Sequence, residues 1–391
     1  MQNLRENNTN TGMEKHISVL WEPVPLGKRR APNRLAAQAM ETNAAAPGGG
    51  VSPFVEERYR LLARGGWGLV FVEAISISGA HLARKNGLVL SRETLPGFRR
   101  LVDAFREENP DALVIFQLSH PGRLSGPFSR PVGAYDDGNG LPVLSEGELD
   151  AVAVQFLEAV HLSREAGADG VDIKACHGYL GSEIMRPGNR RPDRYGGSAE
   201  NRVRLIASVV AETVRAYPSF ITGSRVSFYE GVLGGCGTAG PGEVMEDPAD
   251  MLEMLGHIVD AGAHFINVSA GVPAVTPLLT RPQSNNSFDM FHHFRYARLV
   301  KERFPGVTVI GSAYSVGREK AVHYAARNIE RGYADMAGFG RQSLADPRFP
   351  SLLIEAPGEI RYCSLCGGCS RLLRGQERVK CVVYPEGGVR P

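Results

Sequence analysis

The chain has 391 residues, 43% of them hydrophobic and 22% charged, with 44 basic and 42 acidic side chains. A net charge of +2 provides no basic field for nucleic acid or a membrane surface, so neither is expected as the main partner. No apolar run reaches the roughly 18 residues of a membrane span, the polar opening has no signal-peptide core, and six cysteines in so long a chain do not suggest a secreted disulfide scaffold, so a cytoplasmic location is expected.

Residues 1–15 read as a disordered tail, residues 16–360 as one folded unit, and residues 361–391 as a four-cysteine segment packed on it. A hairpin or extended cover is expected over residues 16–30. Strands are expected over residues 34–40, 68–74, 112–118, 170–174, 221–228, 265–269, 307–312 and 336–339. Between them, helical spacing covers residues 54–63, 95–105, 149–166, 201–217, 247–261, 291–304 and 316–327. Gly- and Pro-rich stretches at 48–50, 119–140, 231–242 and 271–287 read as loops. Near-continuous apolar strands indicate a parallel sheet covered on both faces. Eight such units fit a single-domain (β/α)8 TIM barrel. A doubly wound sheet would carry a G-x-G-x-x-G first turn, whereas this chain has METNAAAPGGG after its first strand.

In such a barrel the chemistry gathers at the C-terminal strand ends. Those ends present Met40 and Glu41, Glu73 and Ala74, Gln117 and His120, Lys174 and His177, then Arg225, Ser269 and Gly271. Ser312 and Ala313, then Gly340 and Arg341, end the last two strands. Small residues with free amides plus an arginine there suit a phosphate. Gln117 and Arg225 nearer the axis suit the flat remainder of a phosphorylated cofactor. The stretch after residue 170 delivers Lys174, Cys176, His177 and Tyr179 within one turn of chain. Three of these can move protons or donate to an oxyanion. A loop follows, and Ser198 opens a helix with Glu200 and Asn201 in its first turn. A lysine ending a barrel strand also admits a Schiff-base aldolase reading. Cys363, Cys366, Cys369 and Cys381 have metal-ligand spacing. Iron–sulfur, Zn2+ and unmetallated thiols all remain open there. Cys176 and Cys236 read as buried apolar residues.

The chain resembles the old yellow enzyme family of FMN-dependent NAD(P)H:flavin oxidoreductases. The resemblance rests on HGYL at 177–180, N-x-R-x-D-x-YGGS-x-ENR at 189–202, FQLSHPGR at 116–123, GFGR at 338–341, WEP near the start and NR at 33–34. It implies non-covalent FMN, with Ala39, Met40 and Ala74 lining the ring and Gln117 on the pyrimidine edge. It further implies Arg225 near N1 and O2, and Ser312, Ala313, Gly340 and Arg341 on the phosphate. His177 matches the second member of the family's substrate-oxygen pair, Lys174 stands where many relatives have the first histidine, and Tyr179 matches the proton-donating tyrosine. Glu41 replaces the threonine or cysteine of relatives near flavin C4 and O4, where it pairs with Lys174, tunes the flavin or binds an amine.

The C-terminal cysteines resemble the [4Fe–4S] region of 2,4-dienoyl-CoA reductase and trimethylamine dehydrogenase, with one spacing a residue shorter. The pyridine-nucleotide extension of those relatives is expected to be absent, so a cluster would need an external electron-transfer partner. The implied activity is hydride transfer from reduced flavin to an enone- or enoyl-type small molecule, with NAD(P)H or a redox partner as donor. Amine dehydrogenation or demethylation is the alternative within the family, and a non-catalytic redox sensor is a third class. A homo-oligomer is also open.

Overall fold

The computed structural model describes residues 16–282 and 287–385. The expected tail at 1–15, part of the 271–287 loop and the end of the cysteine segment lie outside the described residues.

The strands are β1 Val24–Leu26, β2 Arg29–Ala31, β3 Leu35–Ala37, β4 Leu69–Ser76, β5 Leu113–Ser119, β6 Gly170–Ile173, β7 Ile221–Ser227, β8 Phe265–Ser269, β9 Thr308–Gly311 and β10 Met336–Phe339. The helices are α1 Pro53–Arg64, α2 Leu95–Glu108, α3 Glu146–Glu165, α4 Leu180–Ile184, α5 Ala199–Ala216, α6 Pro248–Asp260, α7 Pro277–Thr280, α8 Ser287–Arg303, α9 Ala321–Glu330, α10 Arg341–Ala345, α11 Phe349–Glu355 and α12 Gly368–Arg374. Strands β3 to β10 close into a parallel barrel in chain order, β10 pairing back to β3. The expected (β/α)8 barrel is therefore the observed fold.

Local chemistry starts the helices where the barrel needs them. Ser145 and Glu148 form a reciprocal capping box at α3. Ser198 accepts from the Asn201 amide at α5, as its position suggested. The strands follow because their apolar runs have two covered faces. On β6, Val171 and Ile173 join the layer under the helices, while Asp172 bonds Gln117 inside the barrel.

Two layers fill the interior. Toward the N-terminal end, Phe71, Ile115, Phe265 and Met336 pack with Val24, Leu26 and Ala31 of the β1–β2 hairpin. Phe71 and Phe265 meet edge-on at 5.7 Å. Full burial of such a side chain contributes about 1.5–3 kcal/mol, and the hairpin closes that end. Toward the C-terminal end the interior turns polar, through Asp172, Gln117, Arg225, Gln38 and Asn267.

The boundaries differ from expectation in instructive places. Strand β3 ends at Ala37, although the Gln38 amide still donates to the Phe339 carbonyl at 3.0 Å and its side chain meets Asn267 inside the barrel. The helix expected over 316–327 is a 3-10 turn, Tyr314–Lys320, followed by α9. Arg318 interrupts it with φ 48° and ψ −122°. Two stretches expected as loop carry the short helices α4 and α7. No helix among the described residues is long and apolar enough to cross a membrane.

Candidate active site

The barrel mouth opens into a cleft lined by strand ends, by loops and by α8. Arg84, Lys174, Arg225, Arg281 and Arg341 reach it, opposed there by the single carboxylate Glu41 among the described residues.

Asp172 organises the floor. It is fully buried, and it accepts from Gln117 Nε2 at 2.7 Å and from the Arg225 amide at 2.6 Å. Burial pushes its carboxyl up to about 6 against the pull of these donors. Gln38 and Asn267 exchange two bonds of 2.9 Å. Arg225 Nη1 donates to Gln38 Oε1, and Arg225 Nη2 donates to Ser269 Oγ at 3.3 Å. The Arg225 Nε is buried with no partner among the described residues.

His177 follows β6 with φ 66°, a left-handed conformation uncommon for histidine that surrounding bonds must hold. Its amide donates to Ser227 Oγ at 2.9 Å, and its Nε2 meets Ser269 Oγ at 2.9 Å. Burial, then the charges of Arg225 and Lys174, push its pKa well below the usual range, leaving a neutral imidazole.

Tyr179 donates to Glu41 Oε1 at 2.9 Å. Arg84 donates to Glu41 Oε2 through Nη2 at 2.9 Å and Nε at 3.2 Å. Burial alone would raise the Glu41 carboxyl, but Arg84, Lys174 and these bonds outweigh it and hold it at about 2. The Lys174 Nζ lies 3.5 Å from the centre of the Tyr179 ring, a cation–π contact. The expected Lys174–Glu41 contact is thus replaced: Glu41 spends its oxygens on Arg84 and Tyr179.

Ala39, Met40, Gln117, Ser312, Ala313 and Gly340 all line the cleft with these residues, as expected. Ala74 is not in its wall; it lies where the β4–β5 register shifts between Val72 and Ile75. Arg84, Arg281 and His293 were missed, since they come from loops and from α8 rather than from strand ends. Gln38, two residues before Met40, and Ser315, two after Ala313, stood close enough to strand-end positions to be found.

The C-terminal segment is tied to the barrel mouth. Cys363 donates its amide to Gln342 Oε1 at 2.9 Å, and the Val379 amide reaches the Thr42 carbonyl at 2.7 Å. Cys369 faces the cleft, and Cys381 faces a separate small pocket beside Arg58. Cys366 is exposed and Cys363 half-buried. Among the described residues no three potential metal ligands converge, so as placed the thiols do not form a metal shell.

Residues 19–356 match the NADH:flavin oxidoreductase / NADH oxidase family. The chain belongs to that family. The motif resemblance to old yellow enzyme is thereby borne out, and the aldolase reading of Lys174 loses its support. This member of the family is 29% identical to an NADH oxidase of Thermoanaerobacter brockii over 394 residues, 95% of this chain and 57% of that protein. It is 26% identical to an NADPH dehydrogenase of Bacillus subtilis over 358 residues, 88% of this chain and 98% of that protein. A solved 2-naphthoyl-CoA reductase complex shares the fold with a TM-score of 0.84 at 20% identity, over 95% of this chain and 58% of that one. The chain therefore spans under two thirds of the length of the first of these relatives.

The cleft of this family member fits FMN. The Arg341 Nη1, like the Arg225 Nε, is buried without a partner among the described residues. At Gly338 the place of a Cβ is taken by the Gln38 side chain and the Gly311 carbonyl, and a Cβ at Gly340 would come 3.0 Å from Met40 Sδ. Ala313 adopts φ 69° at the head of its turn, a conformation that turns successive amides toward an anion. Ser312, Ala313, Gly340 and Arg341 would hold the phosphate, with Gln117 and Arg225 on the ring.

Proposed function

We propose that this chain is an FMN-dependent oxidoreductase that passes hydride between reduced flavin and an electron-poor carbon of an unsaturated small molecule, with NAD(P)H as electron donor. One observation carries the reading: the Lys174–Tyr179–Glu41–Arg84 array shares a cleft with two buried guanidinium nitrogens that await a partner. When bound, FMN supplies the hydride chemistry. Lys174 and the neutral His177 donate hydrogen bonds to the substrate oxygen on which negative charge develops, and each well-placed donor lowers the barrier by about 3 kcal/mol. Tyr179 holds the proton destined for the neighbouring carbon. Burial and the Glu41 carboxylate raise its pKa well above that of an ordinary phenol, so the proton stays on oxygen until a stronger base meets it. Arg84 opposes that rise and stabilises the phenolate left behind.

The reading is tested by rapid mixing, which separates flavin reduction from substrate reduction. Tyr179→Phe is expected to slow only the second step, by about 10²-fold or more. Wild-type speed in that step would remove Tyr179 as the donor.

Amine oxidation is the second reading, favoured by the ionised Glu41. It is opposed by the engagement of both Glu41 oxygens and by Lys174 beside them. An increase in amine turnover on Lys174→Ala would put it first.

The four C-terminal cysteines complete the proposal as a metal site, [4Fe–4S] ahead of Zn2+. What supports this is their spacing, together with amide donors on two sulfurs: Gly368 to Cys366 at 3.5 Å and Tyr384 to Cys381 at 3.4 Å. Analysis of anaerobically prepared protein for iron, acid-labile sulfide and zinc is the test. Metal-free protein of full stability would remove the site.

A further inference from the structure

His293, on α8, lines the cleft and is only 1% exposed. Its Nε2 lies 2.7 Å from the Leu279 carbonyl oxygen. A carbonyl only accepts, so Nε2 carries the ring hydrogen. Burial, then the charges of Arg225, His292 and Arg341, push the ring pKa down to about 4 against the pull of the Leu279 carbonyl, so the imidazole is neutral at pH 7. In that tautomer Nδ1 is a bare lone pair. It is buried and has no partner among the described residues, a costly state unless a ligand supplies a donor.

The neighbours narrow the donor. The charges acting on His293 are Arg225, which the flavin reading puts on the ring side, His292 beside it in the chain, and Arg341, which that reading puts on the phosphate side. The part of FMN that joins ring to phosphate is a polyol chain. Guanidinium groups only donate, so they cannot receive a hydroxyl hydrogen, whereas Nδ1 can. We infer that His293 Nδ1 accepts a hydrogen bond from a ribityl hydroxyl of FMN and is a cofactor-selecting residue of the cleft. The inference rests on the flavin reading above.

The experiment uses apoprotein titrated by flavin fluorescence with FMN and with its 2′-, 3′- and 4′-deoxy analogues. The wild type should bind one analogue about five- to tenfold more weakly than FMN, the value of one neutral hydrogen bond. His293→Leu should bind FMN more weakly by the same factor and should no longer distinguish that analogue. His293→Asn, whose amide oxygen is an acceptor, should regain part of the discrimination. Equal binding of all analogues by the wild type, or undiminished discrimination in His293→Leu, would overturn the inference. Should His293→Leu fail to fold, wild-type protein with 15N-labelled histidine still decides. An unprotonated Nδ1 resonance should move upfield with FMN and not with the discriminated analogue, and no movement would overturn the inference. Apoprotein that takes up no FMN at all would instead defeat the flavin reading itself.

Discussion

Glu41 is an ionised carboxylate satisfied by one phenol and one guanidinium, with Lys174 close by. Its pKa falls from 4.5 to about 2 on folding, so the folded protein holds the charged form more tightly than the unfolded chain does. The contribution, about 3 kcal/mol at most, is complete above pH 4.5 and lost as pH falls toward 2. Glu41→Gln should therefore flatten the fall in unfolding midpoint between pH 5 and pH 3 compared with wild type. Denaturant titrations at several pH values check this, and parallel curves would mean that Glu41 gains nothing from its partners. The same residue shows how far sequence reading reaches. Its position at a strand end was visible, but its partner was misjudged, because Lys174 is near in the barrel while Arg84 arrives from a loop with the better geometry.

At the scale of elements, the β1–β2 hairpin is the piece that makes the barrel one-ended. Its turn uses Gly27 at φ 59°, and a Cβ there would come 2.8 Å from the His264 ring. Gly27→Val should cost about 1–3 kcal/mol, from strain in the left-handed region. The substituted hairpin lies at the end of the barrel remote from the cleft, so FMN affinity should be unchanged. Thermal unfolding together with flavin titration reads both effects. A loss of flavin affinity equal to the loss of stability would show that the two ends of the barrel are coupled. The cover expected over residues 16–30 was visible because a short apolar run, SVLWEPVPLG, runs up to Gly27. The break at Arg318 was not, since a backbone strained at one residue leaves the helical spacing around it intact.

At the scale of the molecule, the cleft is electrostatically incomplete. Five cations face one carboxylate there among the described residues, and a guanidinium nitrogen on each of two of them, Arg225 and Arg341, is buried without a partner among those residues. Buried cations without acceptors destabilise a fold, and an anionic ligand relieves them. FMN at a hundred times its Kd should stabilise the protein by about 2.7 kcal/mol, or about 3 °C for a chain of this length. Arg341→Met should lose most of that gain while leaving the apoprotein at least as stable as wild type. Calorimetry with and without FMN checks both halves. Apo Arg341→Met that melts well below apo wild type would show that Arg341 is structural rather than held in reserve for the cofactor.

Periodicity and strand-end position are local properties. They suffice for the eight alternating units, for the placement of Lys174, His177, Arg225 and Arg341 around one mouth, and for the capping serine of α5. Which side chains then meet is not a local property. Tyr179 reaches Glu41 across 138 positions of chain, and Arg84 reaches it across 43. Arg281 and His293 enter from a loop and a helix whose return paths follow from packing against the barrel. Local pattern sets which residues stand at the mouth. The closed barrel sets the distances between them, and charge, tautomer and hydrogen-bond choice depend on those distances.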